Sequence, residues 1–402
     1  MKIAIIGQGY VGLPIALHAA RAGFDVIGFD IDKEVVKSLN SGFSHINDIL
    51  NSDLLRLLET KKYMASFDPK VLQDVELIVI AVPTPLDAGR NPDLSFLDSA
   101  CRMLGANLTQ KTLIINESTS YPGTLRNFIA NRIDSISKIK HLYAISPERV
   151  DPGNTSWSIS NTPRLVSGLD PEATKKAISF YSHFCSEVVE VSSPEVAEAA
   201  KLFENTFRQV NIGLVNEFAL ISRSLGLSVR EILDACATKP YGFMRFNPGL
   251  GVGGHCIPVD PTYLSFASEK VGAKTEFIDL ANRINLNMPS KIIDLISKEL
   301  KISWKSSRIL VCGISYKSDI SDIRESPSIE LIKQLRSLGA HVDWYDPEVI
   351  NWNGEKSVEL PKIGYDLAIL AIAHGKMNLP NVSKSADKLF DCIGKMPGEF
   401  SL

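Results

Sequence analysis

The first thirty residues of the chain already narrow its possible folds sharply. A short β-branched run, Lys2 to Ile6, leads into Gly7-Gln8-Gly9-Tyr10-Val11-Gly12, an amphipathic stretch follows, and a second apolar run, Asp25 to Phe29, ends at Asp30. In a strand, turn and helix of this kind the first glycine permits the tight turn and the second lets a pyrophosphate approach the backbone. The third allows close packing of helix on strand, and the helix N-terminus faces the anion. A lone GxGxxG is weak evidence. With the strand, the helix and the acid in place, the segment predicts dinucleotide binding at Gly7, Gly9, Tyr10, Val11 and Gly12, with Asp30 accepting from the adenosine ribose hydroxyls. Asp30 and Asp32 repel a 2′-phosphate, which favours NAD over NADP, and Lys33 partly offsets that repulsion.

The same alternation continues. Glu76 to Val82, Thr112 to Asn116 and Leu142 to Ile145 read as further strands between amphipathic stretches, implying a parallel sheet covered by helices on both faces. From Pro194 to Leu225 the apolar spacing is helical throughout, with a Ser/Pro start and Gly226 as a stop, and such a helix spans about 48 Å. A helix of that length reads as a spine joining two domains, with one face available to a second subunit. Glycine and proline then dominate Lys239 to Pro261, which reads as a structured loop. A helical region from Thr275 to Leu300 precedes a second α/β unit: strand Arg308 to Cys312, helix Pro327 to Leu338 capped by Gly339, and strands His341 to Tyr345 and Asp366 to Ile372. Residues Lys376 to Leu402 show no pattern and stay unassigned.

At 402 residues the chain is long enough for two or three domains. The expected organisation is α/β: a Rossmann domain over 1–191, a central helical domain with the cysteine loop over 192–300, and a Rossmann-like domain over 301–402, with the site in the cleft between them. A chain that is 45% apolar and 22% charged is globular rather than disordered. A net charge of −3 offers an anion no global attraction, so a nucleotide must be met by a local basic cluster, and nucleic acid is not an expected partner. The run Ile3 to Ile6 is too short for a signal peptide, and no apolar run approaches the roughly 20 residues of a membrane helix. The six cysteines are scattered singly, with no zinc-type spacing, so neither a disulfide framework nor a metal is expected, and a reducing cytoplasm is the default.

Gly249-Leu250-Gly251-Val252-Gly253-Gly254-His255-Cys256-Ile257-Pro258-Val259-Asp260 is the most unusual segment. Glycines crowd the cysteine as though backbone must pass close to a substrate. Cys101, Cys185, Cys236, Cys312 and Cys392 read as buried small hydrophobes, the ordinary fate of a cysteine. For Cys256 a structural and a nucleophilic role both stand on the residues alone. A nicotinamide site with a thiol tilts the balance, because oxidation beyond an aldehyde needs a nucleophile: the thiol adds to the carbonyl, the hemithioacetal gives up a hydride, and the thioester is hydrolysed.

Lys201, Asn205 and Arg208 share one face of the long helix, either as a solvated face or, with Leu202, Phe203, Thr206 and Phe207 leaving no clean polar stripe, as a partly buried site for an oxyanion or a proton relay. Lys317 and Arg324 stand in a charged turn before the helix at Pro327, which is a surface ion-pair cluster or a phosphate site.

As a set, Gly7 to Gly12, Val82-Pro83-Thr84-Pro85, Glu117-Ser118-Thr119, Ser146-Pro147-Glu148-Arg149, Lys201 to Asn205, Gly253 to Cys256 and Arg324-Glu325-Ser326 resemble, in order, the motifs of the UDP-glucose/GDP-mannose dehydrogenase family, over Lys2 to about Ile372. The resemblance implies a four-electron oxidation of a sugar C6 alcohol to a uronate, reducing two NAD. It implies Cys256 as the thioester-bearing thiol, Lys201 as acid/base or oxyanion partner supported by Asn205, and Asp260 and Thr119 as residues that position water, with Glu148 in the same pocket. Pro83, Thr84 and Thr119 fall to the cofactor. Glu148, Arg149, Lys201, Asn205, Arg208, Gly253, Lys317 and Arg324 fall to a UDP-sugar, and the spine helix to a homodimer. His255, Pro258-Val259-Asp260, the run from Ser146 to Asn154 and the run from Lys239 to Phe246 resemble the branch acting on UDP-N-acetylhexosamines, with UDP-N-acetylglucosamine first and UDP-glucose or UDP-N-acetylmannosamine as alternatives. Two rival classes remain: a two-electron hydroxyacid dehydrogenase, which has no use for the second α/β unit, and a non-catalytic nucleotide-binding protein.

Overall fold

The computed structural model describes residues 1–46, 49–150, 154, 156–396 and 400–402. Residues 151–153 of the run from Ser146 to Asn154 lie outside them. The chain divides into two compact units, Met1–Phe203 with Thr262–Val271, and Glu204–Pro261 with Gly272–Leu402.

The first unit is built on an eight-stranded sheet: β1 (Lys2–Ile6), β2 (Asp25–Phe29), β3 (Tyr63–Ser66), β4 (Leu77–Ile80), β5 (Leu113–Asn116), β6 (Leu142–Ile145), β7 (Arg164–Gly168) and β8 (Val188–Glu190). Their order is β3-β2-β1-β4-β5-β6-β7-β8. The first six are mutually parallel in the dinucleotide-binding order, and β7 runs antiparallel to β6. β4, β5 and β6 are buried at every residue, as strands covered on both faces must be, and this is why they read as continuous apolar runs. One core packs against each face.

The second unit carries β9 (Arg308–Cys312), β10 (His341–Tyr345), a small hairpin of β11 (Asn351–Trp352) and β12 (Glu355–Lys356), then β13 (Leu367–Leu370), β14 (Leu389–Asp391) and β15 (Phe400–Ser401). The sheet order β10-β9-β13-β14-β15 is fully parallel, the other common doubly wound arrangement. The tail that shows no pattern in sequence therefore completes this sheet, with a helix at Leu379–Lys384. Strands of three and two residues are too short to display a period and exist through their pairing with β13 and with each other.

The long helix spans Pro194–Ser224, with Gly226 at φ +71° just past its end. Unlike a surface helix, it buries polar residues beside Leu202, Val215 and Ala219 and exposes large apolar ones. Glu198, Lys201, Thr206, Gln209 and Asn216 are buried, whereas Val196, Phe203, Phe207, Leu214 and Ile221 are 44–64% exposed. Of the three polar residues that share one face, Lys201 is buried, Asn205 half-buried and Arg208 exposed. The helical region read as continuous from Thr275 is two helices, Glu276–Leu286 and Met288–Leu300, broken at Asn287; Pro289 occupies the first turn of the second, where its missing N–H costs nothing.

Candidate active site

The glycines of the first loop divide their work as the motif requires. Gly7 sits at φ +91°, and a Cβ there would lie 2.4 Å from the Ala81 carbonyl oxygen. A Cβ at Gly12 would lie 1.9 Å from the Gly7 carbonyl oxygen, so helix and turn touch. At Gly9 no protein atom comes within 4 Å of that position, which leaves open the space a pyrophosphate needs. Asp30, half-buried at the end of β2, accepts from the Gln8 amide at 2.8 Å and the Asp32 amide at 2.9 Å. Asp32 is occupied as the cap of the helix Lys33–Asn40, accepting from Glu34 and Val35. Tyr10 and Pro83 are exposed, Val11 and Thr119 half-buried, and Thr84 buried. The Ser118 hydroxyl accepts from the Val82 amide and donates to the Val82 carbonyl, tying the loop after β4 to the loop after β5.

A buried ionic chain extends from Lys201. Its ammonium donates to the main-chain carbonyl of Glu148. The Glu148 carboxylate accepts from the amides of Arg149 at 2.8 Å and Val150 at 2.7 Å and from the Arg164 guanidinium at 3.0 Å. Arg164 also lies 2.8 Å from Glu117, and Tyr181 donates to Glu117 beneath it. Two buried carboxylates thus share one guanidinium, and they part by environment. Burial acts on both. At Glu148 the Arg164 charge, the two amides and Lys201 outweigh it and hold the acid below its ordinary range, while Glu117, without amide donors, is pushed up to about 7. With its carboxylate engaged by three donors, Glu148 supports Lys201 through its carbonyl. Arg149 donates to the Pro163 carbonyl at 2.6 Å.

One residue of this region escapes sequence reasoning. Glu198, buried three residues before Lys201, accepts from the Ser120 hydroxyl at 3.0 Å and the amides of Gly123 at 2.6 Å and Leu125 at 3.0 Å. It fastens the loop bearing Thr119 to the helix bearing Lys201, and burial pushes its carboxyl up to about 7. The i−3 spacing from Lys201 is the only sign of it in the sequence.

In the second unit the Cys256 carbonyl accepts from the amides of Val259 at 3.1 Å and Asp260 at 2.8 Å, a turn that leaves Cys256 exposed and starts the helix Asp260–Lys270. Asp260 is fully buried and accepts from the Asn205 amide at 2.6 Å. Gly253 and Gly254 are required by protein contacts: a Cβ would lie 2.6 Å from Tyr316 Cβ at the first and 2.8 Å from the Tyr316 ring at the second, and the Gly254 amide donates to the Arg324 carbonyl at 3.0 Å. The thiol loop is thereby pressed against the turn holding Lys317 and Arg324. The Arg324 guanidinium donates to Asp322 at 3.0 Å, and both Arg324 and Arg208 are exposed. Cys236 is exposed, not buried: it lies in the last turn of the helix Val229–Ala237, past the final buried residue Leu233. Among the described residues one group has metal-ligating proximity, Asp319, Glu348 and His374. His374 has no ligand atom left, since Nδ1 accepts from the Asp319 amide at 2.9 Å and Nε2 faces Asp346 at 3.1 Å.

An open glycine turn with an acid at the end of β2, joined in one chain to a second doubly wound sheet and a thiol loop, defines an NAD-dependent nucleotide-sugar 6-dehydrogenase. The chain belongs to the UDP-glucose/GDP-mannose dehydrogenase family: residues 1–185 match its NAD binding domain, 195–287 its central domain and 310–391 its UDP binding domain. It is 33% identical to the UDP-N-acetyl-D-glucosamine 6-dehydrogenase of Pseudomonas aeruginosa, over 97% of this chain and 96% of that protein. It is 35% identical to the UDP-N-acetyl-D-mannosamine dehydrogenase of Pyrococcus horikoshii, over 96% and 93%. A solved structure of the UDP-D-ManNAc dehydrogenase from Pyrococcus horikoshii superposes with a TM-score of 0.90 at 32% identity, covering 100% of this chain and 98% of that one. No helix among the described residues is long and apolar enough to cross a membrane.

Proposed function

We propose that this enzyme oxidises the C6 alcohol of a UDP-N-acetylhexosamine, UDP-N-acetylglucosamine first, to the uronate through a thioester on Cys256. The observation that carries the reading is the exposed Cys256 at the end of a glycine loop, its carbonyl accepting directly from the amide of the buried Asp260, whose carboxylate accepts from Asn205. NAD supplies the hydride acceptor for each of the two oxidations. The thiolate adds to the C6 aldehyde, Lys201 stabilises the oxygen that takes up the electron pair, and loss of hydride from the hemithioacetal leaves the thioester. Asp260 and Asn205, with Thr119, position the water that displaces the thiol. Lys317 and Arg324 receive the diphosphate, Arg324 exchanging its bond to Asp322 for a phosphate oxygen; Arg149, Arg208 and Gly253 complete the sugar site, and Glu148 holds Lys201.

The acetylated sugar is favoured by His255 and Val259 in the thiol loop and by relatives named for N-acetylated sugars. UDP-N-acetylmannosamine is the second reading, because relatives named for each epimer are about equally similar. We also assign the exposed row Val196, Phe203, Phe207, Leu214 and Ile221, spaced by sevens and a four, to a homodimer seam along the long helix. The functional domains run 1–191, 192–300 and 301–402, and the enzyme works in the cytoplasm. The test is NADH formed per sugar with UDP-glucose and the UDP-N-acetyl derivatives of glucosamine, galactosamine and mannosamine, with mass analysis of product. Two NADH and a uronate from one acetylated sugar are expected. One NADH per turnover, with Cys256→Ala unimpaired, points instead to a two-electron dehydrogenase.

A further inference from the structure

The loops after β1 and β9 are wired alike. The Gly7 amide donates to the Phe29 carbonyl and the Gly313 amide to the Tyr345 carbonyl, both at 2.8 Å. Both glycines have positive φ, +91° and +87°, and a Cβ at either would strike a carbonyl oxygen of the neighbouring strand end, Ala81 at 2.4 Å and Ile372 at 2.3 Å. The next amide then donates at 2.8 Å to the acid closing the second strand, Gln8 to Asp30 and Ile314 to Asp346.

The two acids nevertheless meet different fates. Asp346 is 2% exposed and also accepts from the amides of Ser315 at 3.1 Å, Glu348 at 2.9 Å and Val349 at 3.0 Å. His374 covers it. Because Nδ1 accepts from the Asp319 amide, the ring proton is on Nε2, which faces Asp346 at 3.1 Å and the Ser315 hydroxyl at 3.2 Å. Asp319 answers by accepting from the Gly375 amide at 2.6 Å. Burial alone would raise the Asp346 carboxyl, but His374 and the amides hold it below its ordinary range.

We propose that His374, through Asp346 and Asp319, is a positioning residue for the nucleotide site of the second unit, clamping the loop from Ile314 to Asp319, which carries Lys317, in the shape that receives a diphosphate. With every approach to Asp346 filled by protein donors, the acid that reads a ribose in the first unit is a structural anchor in the second. This rests on the assignment of the second unit to the UDP-sugar.

The test is calorimetric titration of the full-length protein with UDP and, separately, with NAD, together with steady-state KM and kcat. His374→Ala is expected to weaken UDP about tenfold and to raise KM for the sugar nucleotide with kcat largely kept, while NAD affinity stays within about twofold. Asp319→Gly, which removes the outer half of the clamp and suits the φ of +63°, is expected to weaken UDP by about threefold. Unchanged UDP affinity in both variants overturns the clamp, and so does an equal loss of UDP and NAD, which marks a general structural defect. Wild-type protein that binds NAD and not UDP overturns the assignment of the second unit itself.

Discussion

Two glycine-rich loops in this chain look alike on paper and differ in the fold. In Gly7 to Gly12 the outer glycines are demanded by protein contacts and the middle one, Gly9, faces open space. In Gly249 to Gly254 only Gly249 faces open space: a Cβ at Gly251, at φ +122°, would lie 2.5 Å from the Asn285 carbonyl oxygen, and Gly253 and Gly254 lie against Tyr316, so most of these glycines serve the packing of one protein segment on another. A high density of glycine therefore reports that backbone passes close to something, and only the surroundings say whether that something is a ligand.

The largest effect expected from breaking this contrast is chemical. Cys256→Ala leaves the second loop packed as before and should lower uronate formation on the order of a thousandfold or more, followed as product mass, with the melting temperature unchanged. Next comes packing. Gly254→Ala places a Cβ against the Tyr316 ring at a positive φ and should cost about 1–3 kcal/mol in denaturant unfolding, whereas Gly9→Ala should leave stability within about 0.5 kcal/mol and raise KM for NAD about tenfold. Equal destabilisation by the two would erase the distinction. Asp30→Asn sharpens the ligand side: losing the negative charge should narrow the preference for NAD over NADP by roughly tenfold, read as the ratio of kcat/KM values.

The smallest effect is a pH slope confined to the first unit. Glu198 and Glu117 are raised from 4.5 to about 7, so between about pH 5 and 7 the native state binds protons that the unfolded chain has released. Their contribution is full below the unfolded value and falls as pH rises through that window, by at most about 1.4 kcal/mol per pH unit for each group. Glu198→Gln should remove its share of the slope in urea melts at pH 5, 6 and 7; an unaltered slope would mean that the buried acid stays ionised.

What could be read without coordinates follows a physical rule. β1, β2, β6 and β9 have the ends their apolar runs suggest, because a parallel strand buried on both faces shows a near-continuous apolar run closed by turn residues, and the edge strand β10 shows its ends instead by alternating burial. β7 gives no such signal: it opens on buried Arg164, a charge compensated there by Glu117 and Glu148 at 2.8 and 3.0 Å. Cys236 misled for a related reason, since composition cannot tell a helix's last turn from its middle.

The amino-acid sequence alone specifies the open dinucleotide turn with Asp30, the thiol loop, the long helix and the strands with a visible apolar run, since each depends on neighbouring residues and on a pattern the chain displays; β7, β14 and β15 display none. Packing alone settles which polar groups are satisfied when buried. Glu198 finds Ser120 across 78 residues, Tyr181 finds Glu117 across 64, and His374 finds Asp346 across 28. A buried charge is tolerable only where donors and countercharges converge on it, and that convergence is a property of packed elements which no local spacing encodes.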